Sequence, residues 1–199
     1  SKDKSSNIQV SMTFETTFIN FESQGCKMES QLVGIYNFSN AAAAIAMGCF
    51  FEVSLENIKR AIKSYTPNNN RSQIIQKGSN TIILDAYNAN PSSMEAALDN
   101  FNSIKSLVKI VILGDMFELG IYSKSEHQAV IDKVNSLNFS FAYYVGSHFY
   151  GLASDSSKAS FYKTTELLQN QLKSSVLRDA LILIKGSRGM ALENLLDSF

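Results

Sequence analysis

Apolar and polar residues follow a strand-like spacing in the first part of the chain. Over residues 8–33 they alternate, which is typical of strands that bury one face. The apolar positions on one parity are Ile8, Val10, Met12, Phe14 and Phe18. The segment SQGCK interrupts this alternation with turn-forming residues. The pattern therefore predicts two or three antiparallel strands joined by that turn.

Two helices are predicted to follow these strands. Asn40 lies in an alanine-rich segment and is expected to cap a helix that ends near Gly48. The apolar residues after Ser54 recur at helical spacing, so this serine is expected to cap a second helix. The segment TPNNNRS then combines a proline with three asparagines, which favours a linker and a domain boundary near residues 67–71.

The spacing changes after this linker. A hairpin is predicted around Lys77–Asn80, and apolar strands then alternate with amphipathic helices. The strand segments are TIILD, KIVILGD, FAYYVG, SFYK and ALILIKGS, and the helices are expected over 91–107, near 124–136, from Glu166 and, briefly, after the last strand. Helix 91–107 carries a core-facing stripe of Met94, Leu98, Phe101 and Ile104. This alternation predicts an α/β domain of the Rossmann-like, doubly wound class, with a mostly parallel sheet covered on both faces.

Composition and charge narrow the possible functions. The chain has 199 residues with 18 basic and 18 acidic side chains, so its net charge of +0 argues against nucleic acid as a partner. No apolar run is long enough to span a membrane, and no signal peptide is recognisable. Cys26 and Cys49 lie among apolar neighbours and outside any CxxC motif. They are expected to be buried free thiols, which favours a reducing, cytoplasmic compartment.

Polar side chains are concentrated in the segments that directly follow the predicted strands. These segments are Asp85–Asn90, Gly114–Glu118, Gly146–His148 and Lys185–Gly189. Parallel strands end at one edge of their sheet, where open α/β folds bind their ligands. We therefore expect the four segments to meet at one rim and to form the functional site.

The chemistry of these segments leaves alternatives open. KGSRG, from Lys185, is either a site for a phosphate or carboxylate or a glycine turn with exposed cations, and the two interpretations weigh equally. LGDMFELG carries Asp115 and Glu118, which suit acid–base chemistry or a metal. For this segment we favour a structural turn in which Asp115 caps a backbone and Phe117 or Leu119 packs inward.

Two further motifs concern histidines and the segment DAYNANP. His127 and His148 have no partner at metal-ligand spacing, so they are interpreted as polar surface residues and no metal site is predicted. Asn90 and Pro91 fit the cap and the first position of a helix. That explanation leaves Asp85, Tyr87 and Asn88, for which we favour contact with a ligand. A Walker A loop, G-x-x-x-x-G-K-[ST], occurs nowhere in the 199 residues.

Three segments, DAYNANPSSMEAAL, LGDMFELG and KGSRGMALE, in this order and spacing resemble the carboxy-terminal domain of the Mur ligases, and most closely the MurF type. Upstream, GIYNFSNAAAAIAMG is similar to the end of that family's central ATPase domain, with Tyr36 in place of the usual histidine. The segment NNNRS is similar to the one that carries the interdomain arginine. The resemblance implies that residues 1–70 are the C-terminal part of the central ATP-binding domain, a small α+β remnant. Residues 71–199 are then the Mur ligase C-terminal domain.

The resemblance also implies roles for single residues. Asn37 and Asn40 match asparagines near the adenine, and Arg71 matches an arginine that reaches the nucleotide phosphates. Asp85 matches an acid that holds the ribose, so Asp85→Ala is expected to impair the use of ATP with little loss of stability. The implied substrate-binding residues are Tyr87, Asn88, Asn90, Ser187 and Arg188, and the implied catalytic residues are Lys185, Arg188 and Asn88.

The activity implied by the resemblance is an ATP-dependent ligation. MurF-type ligases use ATP and Mg²⁺ to add D-alanyl-D-alanine to UDP-N-acetylmuramoyl-tripeptide, through an acyl phosphate, in the synthesis of peptidoglycan precursors for the cell wall. In that family the P-loop and an amino-terminal domain precede the part matched here. The chain lacks an initiator Met, so we expect it to begin inside a longer protein and to be inactive without those segments. The alternative is a non-catalytic nucleotide-binding or interaction module of the same fold.

Overall fold

The chain forms two compact units, Ser1–Pro67 and Asn68–Phe199. The computed structural model of the protein describes residues 8–13, 18–35, 37–175 and 177–199. Each unit has a hydrophobic core of its own. Each is therefore built around a separate set of buried side chains, which is the usual definition of a domain.

The first unit contains an antiparallel sheet. Its strands are β1 (Val10–Thr13), β2 (Asn20–Ser23) and β3 (Cys26–Met28), in the order β1-β2-β3. The β2–β3 turn is made by Gln24 and Gly25, which both have a positive φ. The antiparallel strands and the turn that the alternation predicts are thus confirmed. Phe14 of that pattern lies outside the described residues.

Two helices pack against this sheet, α1 (Asn37–Phe50) and α2 (Leu55–Ser64). The predicted bounds of α1 are wrong at both ends, because the helix begins three residues before Asn40 and continues past Gly48. The Asn37 side chain donates to the Val33 carbonyl (2.8 Å) at the start of the helix. Gly48 does not end the helix, since its bare Cα lets α2 approach: a Cβ there would lie 2.9 Å from Cδ1 of Ile58.

The second unit is built on a larger sheet. Among the described residues its strands are β4 (Gln73–Lys77), β5 (Asn80–Asp85), β6 (Lys109–Gly114), β7 (Phe141–Val145), β8 (Ala159–Tyr162) and β9 (Leu181–Lys185). Their order is β4-β5-β9-β6-β7-β8. The edge strand β4 forms the predicted hairpin with β5 and is antiparallel, whereas the other neighbours are parallel. The predicted doubly wound α/β class with a mostly parallel sheet is confirmed.

Helices follow most of these strands. They are α3 (Pro91–Ser103), α4 (Ser123–Ser136), α5 (Ser147–Tyr150) and α6 (Thr165–Ser174), with short 3₁₀ helices at Gly120–Tyr122, Arg188–Met190 and Leu192–Ser198. The predicted end of α3 at residue 107 is too late, because Ile104 already has extended backbone angles. The three stripe residues within α3, Met94, Leu98 and Phe101, are buried as expected.

Both faces of the larger sheet are covered. Leu168 and Leu172 of α6 pack with Leu192 and Leu195 against one face, beside Ile184. Residues of the opposite parity, such as Ile83, Val111 and Leu183, are buried as well. Successive strand residues point to opposite faces, so burial of both parities means that both faces carry a layer.

Two other expectations concern the cysteines and the membrane. Cys26 and Cys49 are free thiols, but they are partly exposed rather than buried. Cys26 starts β3 directly after the turn, and Cys49 lies in the last turn of α1, so neither is enclosed by its own element. Among the described residues, no helix combines the length and the hydropathy needed to cross a bilayer.

Candidate functional site

The four polar segments lie side by side at one rim of the larger sheet. They follow β5, β9, β6 and β7, which are consecutive neighbours in the sheet. Each adjacent pair of segments is joined by a hydrogen bond in which a side chain donates or accepts. The predicted convergence is therefore confirmed, and the segments form one connected edge.

Lys185 joins the segments after β9 and β5. Its Nζ donates to Oδ2 of Asp85 (2.7 Å) and to the Asn88 carbonyl (3.1 Å), and its side chain is only 3% exposed. The second oxygen of Asp85 accepts the Ser72 N–H (3.2 Å). Both charges are thus shielded from solvent and paired inside the protein, which fixes the position of the Asn88 backbone.

Ser187 joins the segments after β9 and β6. Its buried Oγ accepts the Phe117 N–H (2.9 Å), and its own N–H donates to the Asp115 carbonyl (3.1 Å). Gly186 and Gly114 make this approach possible, because a Cβ on Gly186 would lie 3.0 Å from the Cα of Gly114. The KGSRG segment is therefore fitted closely against the LGDMFELG segment.

Asp115 joins the segments after β6 and β7. Its two carboxylate oxygens accept the N–H groups of His148 (2.9 Å) and Phe149 (3.0 Å) at the start of α5. A Cβ on Gly146 would lie 2.2 Å from Cγ of Asp115, and the φ of Gly146 is +123°, so only glycine fits there. The structural interpretation of Asp115 as a cap is confirmed.

The inward-packing residue of this segment differs from the prediction. Met116 is fully buried, whereas Phe117 is 40% exposed and Leu119 is half-buried. The Phe117 ring covers Gly189, where a Cβ would lie 2.8 Å from its Cε2. The alternation of the segment places Met116 towards the core and Phe117 at the rim surface.

Several of the candidate residues are exposed at this rim. The guanidinium of Arg71 stacks on the ring of Tyr87, with Cζ 3.8 Å from the ring centroid, and Tyr87 is 45% exposed. Asn88 is exposed beside them. Arg188 forms an ion pair with Glu193 and still leaves more than half of its side chain accessible. A ligand at the rim can therefore reach the cations of Arg71 and Arg188 and the amide of Asn88.

The three asparagine candidates Asn90, Asn37 and Asn40 have hydrogen-bond partners within their own units. Asn90 caps α3 with its Oδ1, which accepts the Ser93 N–H (2.8 Å), while the Ser93 hydroxyl accepts the Asn90 N–H, as the helix-start interpretation predicts. Asn37 and Asn40 lie in the first turn of α1 in the first unit, where the Asn40 side chain donates to Oδ1 of Asn37 (3.3 Å). The side chains of Asn90, Asn37 and Asn40 thus all take part in local hydrogen bonds.

A cleft of about 500 Å³ opens at the same rim. Its lining includes Asp115, Phe117 and Gly189, together with Lys163 and Glu166 from the segment after β8. The backbone at the start of α6 and the Thr164 hydroxyl lower the pKa of the Glu166 carboxyl. Lys163 and Glu166 were not predicted from the sequence. The available signal was their position directly after β8, which is a parallel strand of the same sheet.

The prediction that His127 is a surface residue is wrong, because its side chain is fully buried. Its Nε2 accepts the Met116 N–H (3.0 Å), and its Nδ1 lies 2.7 Å from the Ser123 carbonyl. Burial lowers the pKa of its imidazole. A signal was present in the sequence, since His127 shares a helical face with the buried Val130, Ile131 and Val134 of α4.

Metal ligands are not grouped in the part of the chain that the structure describes. There, no cluster of three or more histidine, cysteine, aspartate or glutamate side chains is arranged to hold an ion. The rim instead offers cations, amides and backbone N–H groups, which suit anionic or peptide-like ligands.

Comparison with known proteins gives a consistent result. The family model described as "Mur ligase, glutamate ligase domain" matches residues 70–188. The UDP-N-acetylmuramoyl-tripeptide–D-alanyl-D-alanine ligase of Treponema pallidum is 34% identical over 178 residues. That alignment covers 86% of this chain and 39% of the relative. The chain thus spans well under half the length of this relative.

Solved structures show the same similarity. A crystal structure of MurF from Acinetobacter baumannii matches 98% of this chain with a TM-score of 0.83 and 26% identity, and the match covers 45% of that chain. MurF from Thermotoga maritima in complex with ADP matches 96% of this chain and 45% of its own, with a TM-score of 0.76 and 18% identity. The second likeness, at its low identity, supports the fold alone.

Proposed function

Because this chain belongs to the Mur ligase family, we propose that it is the carboxy-terminal part of a MurF-type ligase. The full enzyme would join D-alanyl-D-alanine to UDP-N-acetylmuramoyl-tripeptide in peptidoglycan precursor synthesis, as the name of the Treponema pallidum relative describes. The observation that carries the proposal is the rim itself. The segments DAYNANP, LGDMFELG and KGSRG, which carry the resemblance, are linked there into one edge by Lys185 and Ser187.

The proposed reaction has two steps. ATP transfers its terminal phosphoryl group to the tripeptide carboxylate, which gives ADP and an acyl phosphate. The amine of D-alanyl-D-alanine then attacks the carbonyl carbon, and inorganic phosphate leaves as the amide bond forms. Both steps develop negative charge that fixed cations and N–H donors stabilise. The exposed cations of the rim, Arg71 and Arg188, are of the kind required.

We propose that the exposed candidates contact the ligands and the buried ones hold them in place. Arg71, stacked on Tyr87, is suited to the nucleotide phosphates, and Asn88 and Arg188 are suited to the reacting peptide ends. Lys185 acts on catalysis through the Asn88 backbone to which it donates. The proposed ribose contact of Asp85 and the proposed substrate contact of Ser187 have to coexist with their internal hydrogen bonds.

The wider assignment belongs to the same proposal. Residues 1–70 would complete a central ATP-binding domain in which Asn37 and Asn40 face the adenine, and residues 71–199 would close on it. The P-loop, the magnesium ligands and the UDP-sugar domain would come from sequence outside these 199 residues. The Thermotoga maritima MurF structure is a complex with ADP, and ATP is the nucleotide that we propose for this enzyme. A cytoplasmic location follows from the need for ATP and a UDP-linked precursor.

A ligase assay with one charge-removal variant tests this proposal. We expect Arg188→Ala, in the protein that joins this chain to a P-loop domain, to lower kcat/KM for D-alanyl-D-alanine by roughly 10-fold or more, because a charge-assisted contact is lost. The measurement is phosphate release that depends on ATP, tripeptide and D-alanyl-D-alanine.

The matched control is Arg178→Ala. Arg178 is an exposed arginine that precedes β9, at the opposite end of the strand from Arg188. Its replacement is expected to leave kcat/KM unchanged. Equal effects of Arg188→Ala and Arg178→Ala on kcat/KM would mean that the rim takes no part in the reaction. Nucleotide binding without any ligation would favour a non-catalytic module.

A further inference from the structure

His127 contacts the rim from helix α4, where its Nε2 accepts the Met116 N–H. It lies on α4, one turn after Ser123, and its ring is fully enclosed. Phe149 packs against the ring edge-on, with centroids 4.6 Å apart. The ring therefore has a fixed position between α4, α5 and the segment after β6.

The two ring nitrogens have different partners, and the partners determine the proton's place. Met116 can only donate its N–H, so Nε2 must be the acceptor (3.0 Å). The Ser123 carbonyl can only accept, so Nδ1 must carry the hydrogen (2.7 Å). The imidazole is thus uncharged, with its proton on Nδ1. A second proton on Nε2 would point at the Met116 N–H and break that contact.

The titratable groups around the ring come from three elements. Asp115, in the segment after β6, has Oδ1 3.7 Å from Nε2, and because Nε2 carries no proton this contact is not an ion pair. His148 of α5 has its ring centroid 5.1 Å away, and Glu126 lies on α4 itself. Burial is the largest influence and lowers the pKa of His127. The hydrogen bond to the Ser123 carbonyl and the carboxylates of Asp115 and Glu126 raise this pKa, and His148 lowers it, so that it stays below its ordinary value.

Three consecutive residues of the rim are held by three different elements. Asp115 binds the start of α5, Phe117 donates to Ser187 after β9, and Met116 between them donates to His127. Asp115 and Phe117 are thus held by the segments that follow β7 and β9. Met116 is held by a side chain of α4, which follows β6 in the chain. The Met116 contact therefore ties residues 115–117 to α4.

We propose that His127 is a positioning residue that holds residues 115–117 in the geometry in which Asp115 and Phe117 line the rim cleft. The uncharged ring is required, because the contact uses Nε2 as an acceptor. The consequence for catalysis rests on the proposed ligase function, since the cleft is then a substrate cleft. The consequence for the segment itself does not rest on that function.

Two variants separate the hydrogen bond from the packing. His127→Phe keeps a planar ring in the enclosed space and removes the acceptor. His127→Gln keeps an acceptor, because its amide oxygen reaches the place of Nε2. In the 199-residue chain, we expect His127→Phe to lower the hydrogen-exchange protection factor of the Met116 amide roughly 10-fold or more, and His127→Gln to restore most of it. The Thr81 amide, which donates to the Ala180 carbonyl at the other end of the sheet, is the control and should not change.

The pH dependence gives a second readout. As the pH falls below the ordinary histidine value of about 6.5, protonation of His127 should reduce the protection of Met116 in the wild type. His127→Gln has no titrating side chain at position 127, so its Met116 protection should fall less than that of the wild type over the same range. Equal pH profiles for the two proteins would overturn the proposal.

The kinetic readout distinguishes positioning from folding. In the ligase, a displaced segment raises the KM for a peptide substrate, whereas a partly unfolded enzyme lowers kcat per total protein and leaves KM unchanged. We expect His127→Phe to raise that KM several-fold and His127→Gln to restore it. Unchanged Met116 exchange in His127→Phe, or an effect on kcat alone, would overturn the proposal. If the wild-type protein shows no ligation, the proposed function is wrong. The hydrogen-exchange experiment would still test the role of His127 in that case.

Discussion

At the scale of single residues, the buried pair of Lys185 and Asp85 is the most consequential contact of the rim. Its two charges come from strands that are 100 residues apart in the chain, and the lysine is almost fully enclosed. Removing one member of such a pair leaves the other charge buried without compensation. The expectation that Asp85→Ala costs little stability therefore has to be revised.

We expect Asp85→Ala to destabilise the second unit by about 3 kcal/mol. Lys185→Met should cost less, because the carboxylate keeps the Ser72 N–H as a partner. The double variant should be more stable than Asp85→Ala alone, since it leaves no unpaired charge, with a coupling energy of about 1–3 kcal/mol. Urea denaturation of the three variants and the wild type measures this cycle.

The matched control is the pair of Lys133 and Asp99, whose nitrogen and oxygen are also close, at 2.6 Å. Both side chains are far more accessible than those of the rim pair, so their coupling should be much smaller. If the double variant at the rim is no more stable than Asp85→Ala, the unpaired charge of Lys185 is not the cause of the destabilisation.

At the scale of elements, the helix starts show what a local signal determines. Asn90 and Ser54 both occupy N-cap positions, as the sequence predicts. Asn90 forms a capping box with Ser93, whereas Ser54 makes no side-chain cap bond to any described residue. The residue type thus predicted the position of the helix start but not the presence of the bond.

We expect Asn90→Ala to cost about 1 kcal/mol of stability in the second unit, because the Ser93 N–H loses its acceptor. Ser54→Ala should change the stability of the first unit much less, since no cap bond is lost. Urea denaturation followed by signals from each unit makes the comparison. If Asn90→Ala and Ser54→Ala lose similar amounts of stability, the capping box of Asn90 does not add to the stability of the second unit.

The sequence predicted the strands and the longer helices of the second unit because each has a distinct apolar period. The short helices Ser147–Tyr150 and Gly120–Tyr122 were not predicted. The bounds of α1 were harder to predict, since Asn37 and Asn40 both suit a helix start. The helix starts at Asn37, whose side chain donates to the Val33 carbonyl. The meeting of the rim segments was predictable from parallel topology. The burial of individual side chains at the rim could not be predicted. It depends on the position of β9 between β5 and β6, and no local pattern encodes strand order.

At the scale of the whole molecule, the division into two units has a testable consequence. The second unit contains a sheet covered on both faces and its own core, so residues 68–199 alone should fold. We expect this fragment to give a dispersed amide spectrum and one cooperative thermal transition. The matched control ends at residue 180 and lacks β9; it should lose both properties, because β5 and β6 would then have no strand between them. A cooperative transition in the shorter fragment would contradict this account of the sheet.

The central position of β9 also affects how the protein is made. A ribosome delivers β5 and β6 long before β9, which follows the other described strands in the chain and fills the gap between them. Until residues 181–185 emerge, two apolar strands each present an open edge, and such edges favour aggregation. The sheet cannot assemble strand by strand during synthesis, so its final closure must follow translation of its last strand. Exposed strand edges of this kind are among the surfaces that chaperones shield in nascent chains.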